Sequence, residues 1–316
     1  MAHFEFTKGL HEIGSGCWAW LQPDGSWGFS NAGLVTDGEA SLLVDTLFDL
    51  KLTGEMLAAM RDAAPAAREI DTVVNTHANG DHCYGNALVK DATILASKAC
   101  AEEMQELPAS ALAALAAAAP QLGEAGTFLQ EIFGRFEFEG IESVLPNRTF
   151  EGELRWKVGD KELRLLEVGP AHTKGDVLVH SLADRTVFTG DILFIEGTPI
   201  LWEGPVDNWI RACEHIETMD VDIVVPGHGP ITNREGARQV REYLAFVRDH
   251  ARSRYDAGLS AADASREISR ELGHFGSWTD TERVVVNVDT LYREFSGSSE
   301  RTPIPELFGL MAELAR

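Results

Sequence analysis

The chain has 316 residues, an ordinary 44% apolar share and a formal net charge of −23. That length and apolar content allow a large core in one domain with an appendage. So acidic a surface, with no Lys/Arg cluster, repels phosphate backbones and anionic membranes, and no segment is long and apolar enough to span a bilayer, so neither nucleic acid nor membrane is an expected partner. From the N-terminus, Cys17 to Val44 reads as strands broken by the turn Pro23-Asp24-Gly25. Trp18 and Trp20, two residues apart, should share one face, more naturally a core face than a ligand-contacting one. The run Ser41 to Thr46 is a strand ending in the carboxylate of Asp45, and Thr53 to Ala64 has the apolar spacing of a covering helix.

Ile70 to Val74 is a buried strand leading into Asn75-Thr76-His77-Ala78-Asn79-Gly80-Asp81-His82-Cys83-Tyr84-Gly85-Asn86, after which Gly85 to Val89 reads as a helix start. Two imidazoles and a carboxylate in one strand-to-helix loop can be aimed at one point, and these side chains are good ligands for zinc or a similar divalent ion. The bland alternative is a polar turn with Asp81 as a helix cap. Thr93 to Ala96 is another short strand. Ser97 to about Phe136 turns helical and alanine-rich, with breaks at Pro108 and Pro120. The connection from His82 to His172 is longer than it need be, so residues 97–140 are expected to form a helical flap carrying Phe128, Phe133, Phe136 and Phe138 over the site.

Phe150 to Asp191 supplies further strands, with turns at Gly159-Asp160 and Asp184-Arg185. Three more loops place a candidate ligand just past an apolar strand: His172 after Leu163 to Val168, Asp191 after Thr186 to Phe188, and His228 after Val221 to Val224. A lone His there is usually structural, but four such loops in order point to a metal site. The apolar loop Ile192 to Trp202 leaves Asp191, so Phe194 and Trp202 are the candidate substrate contacts. Val206 to Met219 is the next covering helix. Glu235 to Tyr255, Ala261 to Leu272 (capped by Ser260) and Glu282 to Phe295 are helices of a tail that carries no recognisable chemistry.

The order Thr-His-x-Asn-x-Asp-His, then His172, Asp191 and His228, resembles the metallo-β-lactamase superfamily, whose usual motif is His-x-His-x-Asp-His. The resemblance runs from about Gly14 to Thr232. It implies an α/β fold, an αββα sandwich of two mixed sheets with the metals at one edge. The catalytic domain would span 1–232 with the flap inserted, and 233–316 would be a C-terminal helical extension packed on it. By this likeness His77, position 79 and His172 form one metal site, Asp81, His82 and His228 a second, and Asp191 bridges them. Asp45 would support the metal loop from behind without ligating, fixing a histidine tautomer. Asn79 stands where the family most often has a third histidine. A neutral amide is the poorer zinc ligand, so Asn79 is a weak ligand, a hydrogen-bond donor to substrate or water, or a spacer.

The expected cofactor is zinc, one ion or two, with iron or manganese as alternatives. Metal-activated hydroxide, oriented by Asp81 and with Asn79 as a catalytic candidate, would hydrolyse an ester, thioester, lactone or amide of a small, largely apolar or aromatic substrate. No Gly-x-Ser-x-Gly elbow supports a serine route. The rivals are a cyclase or thioesterase of aromatic polyketide type, which the metal loop also resembles, an iron-dependent redox enzyme of the same fold, and a non-catalytic metal-binding protein. Cys17, Cys83, Cys100 and Cys213 are scattered with no Cys-x-x-Cys pair, and no signal peptide is evident, so reduced thiols in a cytoplasmic protein are expected. A homodimer is one option for the tail.

Overall fold

Side-chain alternation along the strands sets the architecture. In the strand Ala40–Val44, Leu42 and Val44 pack with Leu163, Val179 and Phe188 of a second sheet, whereas Leu43 packs with Met56, Leu57 and Met60 of a covering helix. A strand buried on both faces needs a continuous apolar run, which is what this segment carries. The computed structural model, which describes residues 4–316, repeats this arrangement across two sheets.

The first sheet takes β1 (Gly9–Gly14), β2 (Cys17–Leu21), β3 (Ala32–Asp37), β4 (Ala40–Val44), β5 (Thr72–Val74), β6 (Thr93–Ser97) and β7 (Arg148–Phe150), in that order. The β1 to β4 pairings are antiparallel and those from β4 to β7 parallel. The second sheet runs β12 (Ile223–Val225), β11 (Thr186–Phe188), β10 (Val177–Ser181), β9 (Lys161–Glu167) and β8 (Glu153–Val158). Only β11 and β12 are parallel there, so β9, β11 and β12 point the same way and end at the same edge.

Helix α1 (Leu50–Ala63) covers the first sheet, its start capped by Asp49 accepting from Leu52 N. Trp20 is buried and Trp18 partly buried against that same layer, so both belong to the core face. The metal loop departs from the expected helix start at Gly85. The chain closes a single turn, α2 (Gly80–Cys83), with His82 N donating to Asn79 O at 3.0 Å, then continues as a 3₁₀ turn over Tyr84–Val89. Residues 97–140 form α3 (Lys98–Glu106), α4 (Ala109–Ala118) and α5 (Gly123–Phe133), separated at Pro108 and Pro120 because proline cannot donate into a continuing helix.

The second sheet is covered by α6 (Val206–Thr218), α7 (Arg234–Asp256), α8 (Ala261–Arg270), α9 (Val284–Ser296) and α10 (Ile304–Leu314), which share one apolar cluster with Leu178, Val187 and Val224. Ser260 caps α8, accepting from Asp263 N. Helix α9 forms despite Val284 to Val286 and Val288, because all four are buried and packing outweighs their modest helix propensity. Helix α10 was not expected; it starts behind Pro303 and returns to the ligand edge. All four cysteines are buried and unbridged, and Cys83 is a small core side chain whose Sγ donates to Ala78 O. Among the described residues no helix is long and apolar enough to cross a membrane.

Candidate metal centre

The candidate ligands stand a few residues past strand ends: His77 after β5, His172 after β9, Asp191 after β11 and His228 after β12. Asp81 and His82 lie on the turn of α2. The fold brings all six together. His77, His82 and Asp191 offer ligand atoms within 4.8 Å of one another, and so do Asp81, His82 and His228. His172 Nε2 is 3.4 Å from Asp191 Oδ2, His228 Nε2 also 3.4 Å from it, and His82 Nε2 is 3.1 Å from Asp191 Oδ1. His228 Nε2 is 3.3 Å from Asp81 Oδ2. His82 thus belongs to both groups, where the family likeness assigned it to one. Asn79 is half-buried, precedes α2 without a capping side-chain bond, and lines the cavity described below.

Hydrogen bonds at the far ring nitrogens orient the imidazoles. His172 Nδ1 donates to Ile200 O at 2.6 Å and His228 Nδ1 to Gly25 O at 2.9 Å, because a carbonyl can only accept. In the neutral ring that leaves Nε2 to carry the lone pair; burial opposes charging His228, but Asp191 and Asp81 push its pKa up to about 9. Asp45 is hydrogen-bonded behind two candidate ligands. It accepts from His82 Nδ1 at 2.9 Å and from Thr76 N and Oγ1 at 2.7 Å each, and Thr76 Oγ1 in turn sits 3.0 Å from His77 Nδ1. Asp45 has a left-handed φ of 61°, a conformation that Asp tolerates and that places its carboxylate behind the loop.

The cluster fits a cation. The Nε2 atoms of His77, His82 and His172, with Asp191 Oδ1, are buried with no hydrogen-bond partner, a costly state unless something coordinates them. Burial holds the pKa of His77 and His172 below the ordinary value, keeping both in the neutral form that ligates. Burial alone would raise Asp191, but His228, His82 and His77 hold its carboxyl well below the usual range. Imidazole and carboxylate donors together suit zinc, iron or manganese. Close packing fixes Asp191: a Cβ on Gly227 would lie 2.0 Å from its Oδ1.

Beside the cluster is a cavity of about 620 Å³, and Asp81, His172, Asp191 and His228 form part of its wall. Both expected contacts, Phe194 and Trp202, line it, and the Phe194 ring stacks on His228 at 5.0 Å and 2°. From the insertion, α3, α4 and Phe133 contribute lining, whereas Phe128, Phe136 and Phe138 pack behind it. Trp27, Arg283 and Phe308 line it too and were not anticipated. The signal for Phe308 was present, an apolar run led by Pro303; Arg283 sits in a stretch whose pattern shows only a helix.

Residues 25–228 match the metallo-beta-lactamase superfamily. Hydroxyacylglutathione hydrolase from Methylococcus capsulatus is 28% identical over 153 residues, 48% of this chain and 45% of that protein. Hydroxyacylglutathione hydrolase from Dictyostelium discoideum is 27% identical over 172 residues, 51% of this chain and 48% of that one. The chain thus spans about half the length of these curated relatives. Among solved structures, the inverting sec-alkylsulfatase Pisa1 from Pseudomonas sp. superposes with a TM-score of 0.68 at 16% identity, covering 94% of this chain and 52% of that one. The metallo-beta-lactamase from Pontibacter korlensis gives 0.56 at 18%, covering 76% and 99%. Both likenesses agree with the two-sheet architecture. By the match over most of its length, the chain belongs to the metallo-β-lactamase superfamily.

Proposed function

We propose that this protein is a metal-dependent hydrolase that cleaves an ester, thioester, lactone or amide of a small, largely apolar substrate. One observation carries the proposal: the ligand cluster, with its orphaned imidazole nitrogens, borders through Asp81, His172, Asp191 and His228 an apolar cavity large enough for such a molecule. The two curated relatives, both named hydroxyacylglutathione hydrolases, support acyl cleavage and place thioesters first in the test.

His77, His82, His172, His228, Asp81 and Asp191 would hold one or two divalent ions. Such an ion supplies Lewis acidity and water of lowered pKa. Asp81, whose side chain is 13% exposed, lines the cavity and would accept a proton from the attacking water; burial alone would raise its pKa, but His82 and then His228, 3.3 Å away, hold it below the usual range. Asn79 presents an amide to the substrate carbonyl instead of a third imidazole. Phe194, Trp202 and Phe133 pack the apolar body and exclude water.

The mostly apolar lining also suits a cyclase of the kind that closes aromatic rings, since ring closure needs the same cavity without net water addition. A panel of aryl and alkyl thioesters, esters and lactones, assayed with zinc-, iron- and manganese-loaded protein, separates these functions. Turnover that disappears in His82→Ala and His228→Ala is expected. Inactivity of fully loaded protein across the panel would contradict the hydrolase assignment, and activity only with iron and oxygen would indicate redox chemistry instead.

A further inference from the structure

We propose that Arg283 anchors an anionic group of the substrate, so that the cavity takes an apolar molecule bearing a carboxylate or a chemically similar oxyanion. This rests on the site proposed above and specifies what it accepts. Arg283 lies at the start of α9, outside residues 25–228, so it is an addition of this chain's C-terminal part to the wall of the site.

Its side chain is 2% exposed. Nη1 donates to Thr198 O at 3.0 Å and Nη2 pairs with Asp280 at 3.1 Å, but Nε is buried with no hydrogen-bond partner. A guanidinium has five donors and cannot shed its proton, so an unmet buried donor in a cavity wall is a place for an acceptor. The group is stacked between aromatic faces, 4.3 Å from the Trp27 ring and 5.4 Å from that of Phe194. Phe194 stacks in turn on His228, so one ring separates the guanidinium from a candidate metal ligand.

Nearby acids leave capacity at this position. Asp280 also accepts from Ser26 Oγ at 2.7 Å, and Glu282 is occupied by Trp27 Nε1 at 2.9 Å, with burial pushing its carboxyl toward the neutral form. The other cations of the wall differ. Lys174 is held by Glu106 at 2.6 Å, and Arg301 is held by Glu203 and half exposed to solvent.

The test is binding of 4-phenylbutyrate and 4-phenylbutanol to the metal-loaded full chain by isothermal titration calorimetry. The acid is expected to bind at least ~10-fold more tightly than the alcohol, the scale of a charge-assisted hydrogen bond. Arg283→Gln should erase that preference while leaving alcohol affinity within about twofold, and Arg283→Lys should retain part of it. Should Arg283→Gln fail to fold, Asp280→Asn removes the competing carboxylate and should sharpen the preference. An acid preference that persists in Arg283→Gln, one absent from the wild type, or one unchanged or weakened in Asp280→Asn overturns the proposal. Binding is read without turnover, so failure of the hydrolase assignment would leave this result standing on its own.

Discussion

Asp45→Asn tests the support of the metal loop at nearly constant shape. The carboxylate accepts three hydrogen bonds, two from Thr76 and one from His82 Nδ1. An amide can accept at one end only. If its oxygen stays on Thr76 N, its NH₂ faces His82 Nδ1, and the imidazole must move its proton to Nε2, the atom 3.1 Å from Asp191. That tautomer cannot ligate. If the amide turns the other way, the buried Thr76 N–H loses its acceptor, a cost of about 1–3 kcal/mol in stability. Loss of an outer partner of a metal ligand typically lowers metal affinity about 10- to 100-fold, or roughly 1.4–2.7 kcal/mol. Asn tolerates the left-handed φ of 61° at this position, so the backbone should hold, whereas Asp45→Ala should add strain of about 1 kcal/mol. The assay is zinc competition against a calibrated chelator, with melting of the metal-free protein alongside. Zinc affinity within twofold of wild type in Asp45→Asn would refute the reasoning.

Gly227→Ala should displace both Asp191 and the Gly190 backbone, because the new methyl would lie 2.0 Å from Oδ1 and 2.6 Å from Gly190 C; metal stoichiometry should fall together with the melting temperature of the metal-free protein. His180 is buried on β10 with neither ring nitrogen partnered, and burial, then Arg164, lower its pKa from 6.5. The folded state therefore favours the neutral ring, a contribution present above pH 6.5 and lost as pH falls below it. His180→Leu should flatten the decline in melting temperature of the metal-free protein between about pH 7 and pH 5 relative to wild type. Trp209 is fully buried, donates from Nε1 to Ile192 O at 2.9 Å and packs edge-on to His172. Trp209→Ala should cost about 3–5 kcal/mol in denaturant unfolding and weaken metal binding through His172. Phe308→Ala should raise KM for apolar substrates several-fold with kcat little changed, since Phe308 lines the cavity and packs on Trp27, Phe128 and Phe133.

The sandwich and its ligand edge were legible because both are written locally. Apolar runs such as Ile70 to Val74 end in glycine- or proline-marked loops, and each ligand candidate sits just past one. Asp45 was legible for the same reason, as the carboxylate closing the run before it. What the sequence could not show depends on distant packing. The sharing of His82 between two groups follows from the single turn at Gly80–Cys83, which local pattern placed later, at Gly85. The cavity roof depends on α10 folding back from the C-terminus, and no periodicity says which face of a terminal helix meets a site near residue 80. Arg283 was hidden more completely: its meaning lies in the rings of Trp27 and Phe194, far from it in the chain. Asn79 departs from the family motif, and the structure places it in the cavity wall.

The most direct measurement of the central claim is anomalous diffraction, at the absorption edge of the bound metal, from crystals of the purified protein. The expected result is a peak at about 2.0–2.3 Å from Nε2 atoms of His77, His82, His172 or His228 and from a carboxylate oxygen of Asp191 or Asp81. A fully metallated crystal whose peaks all lie away from these side chains would contradict it.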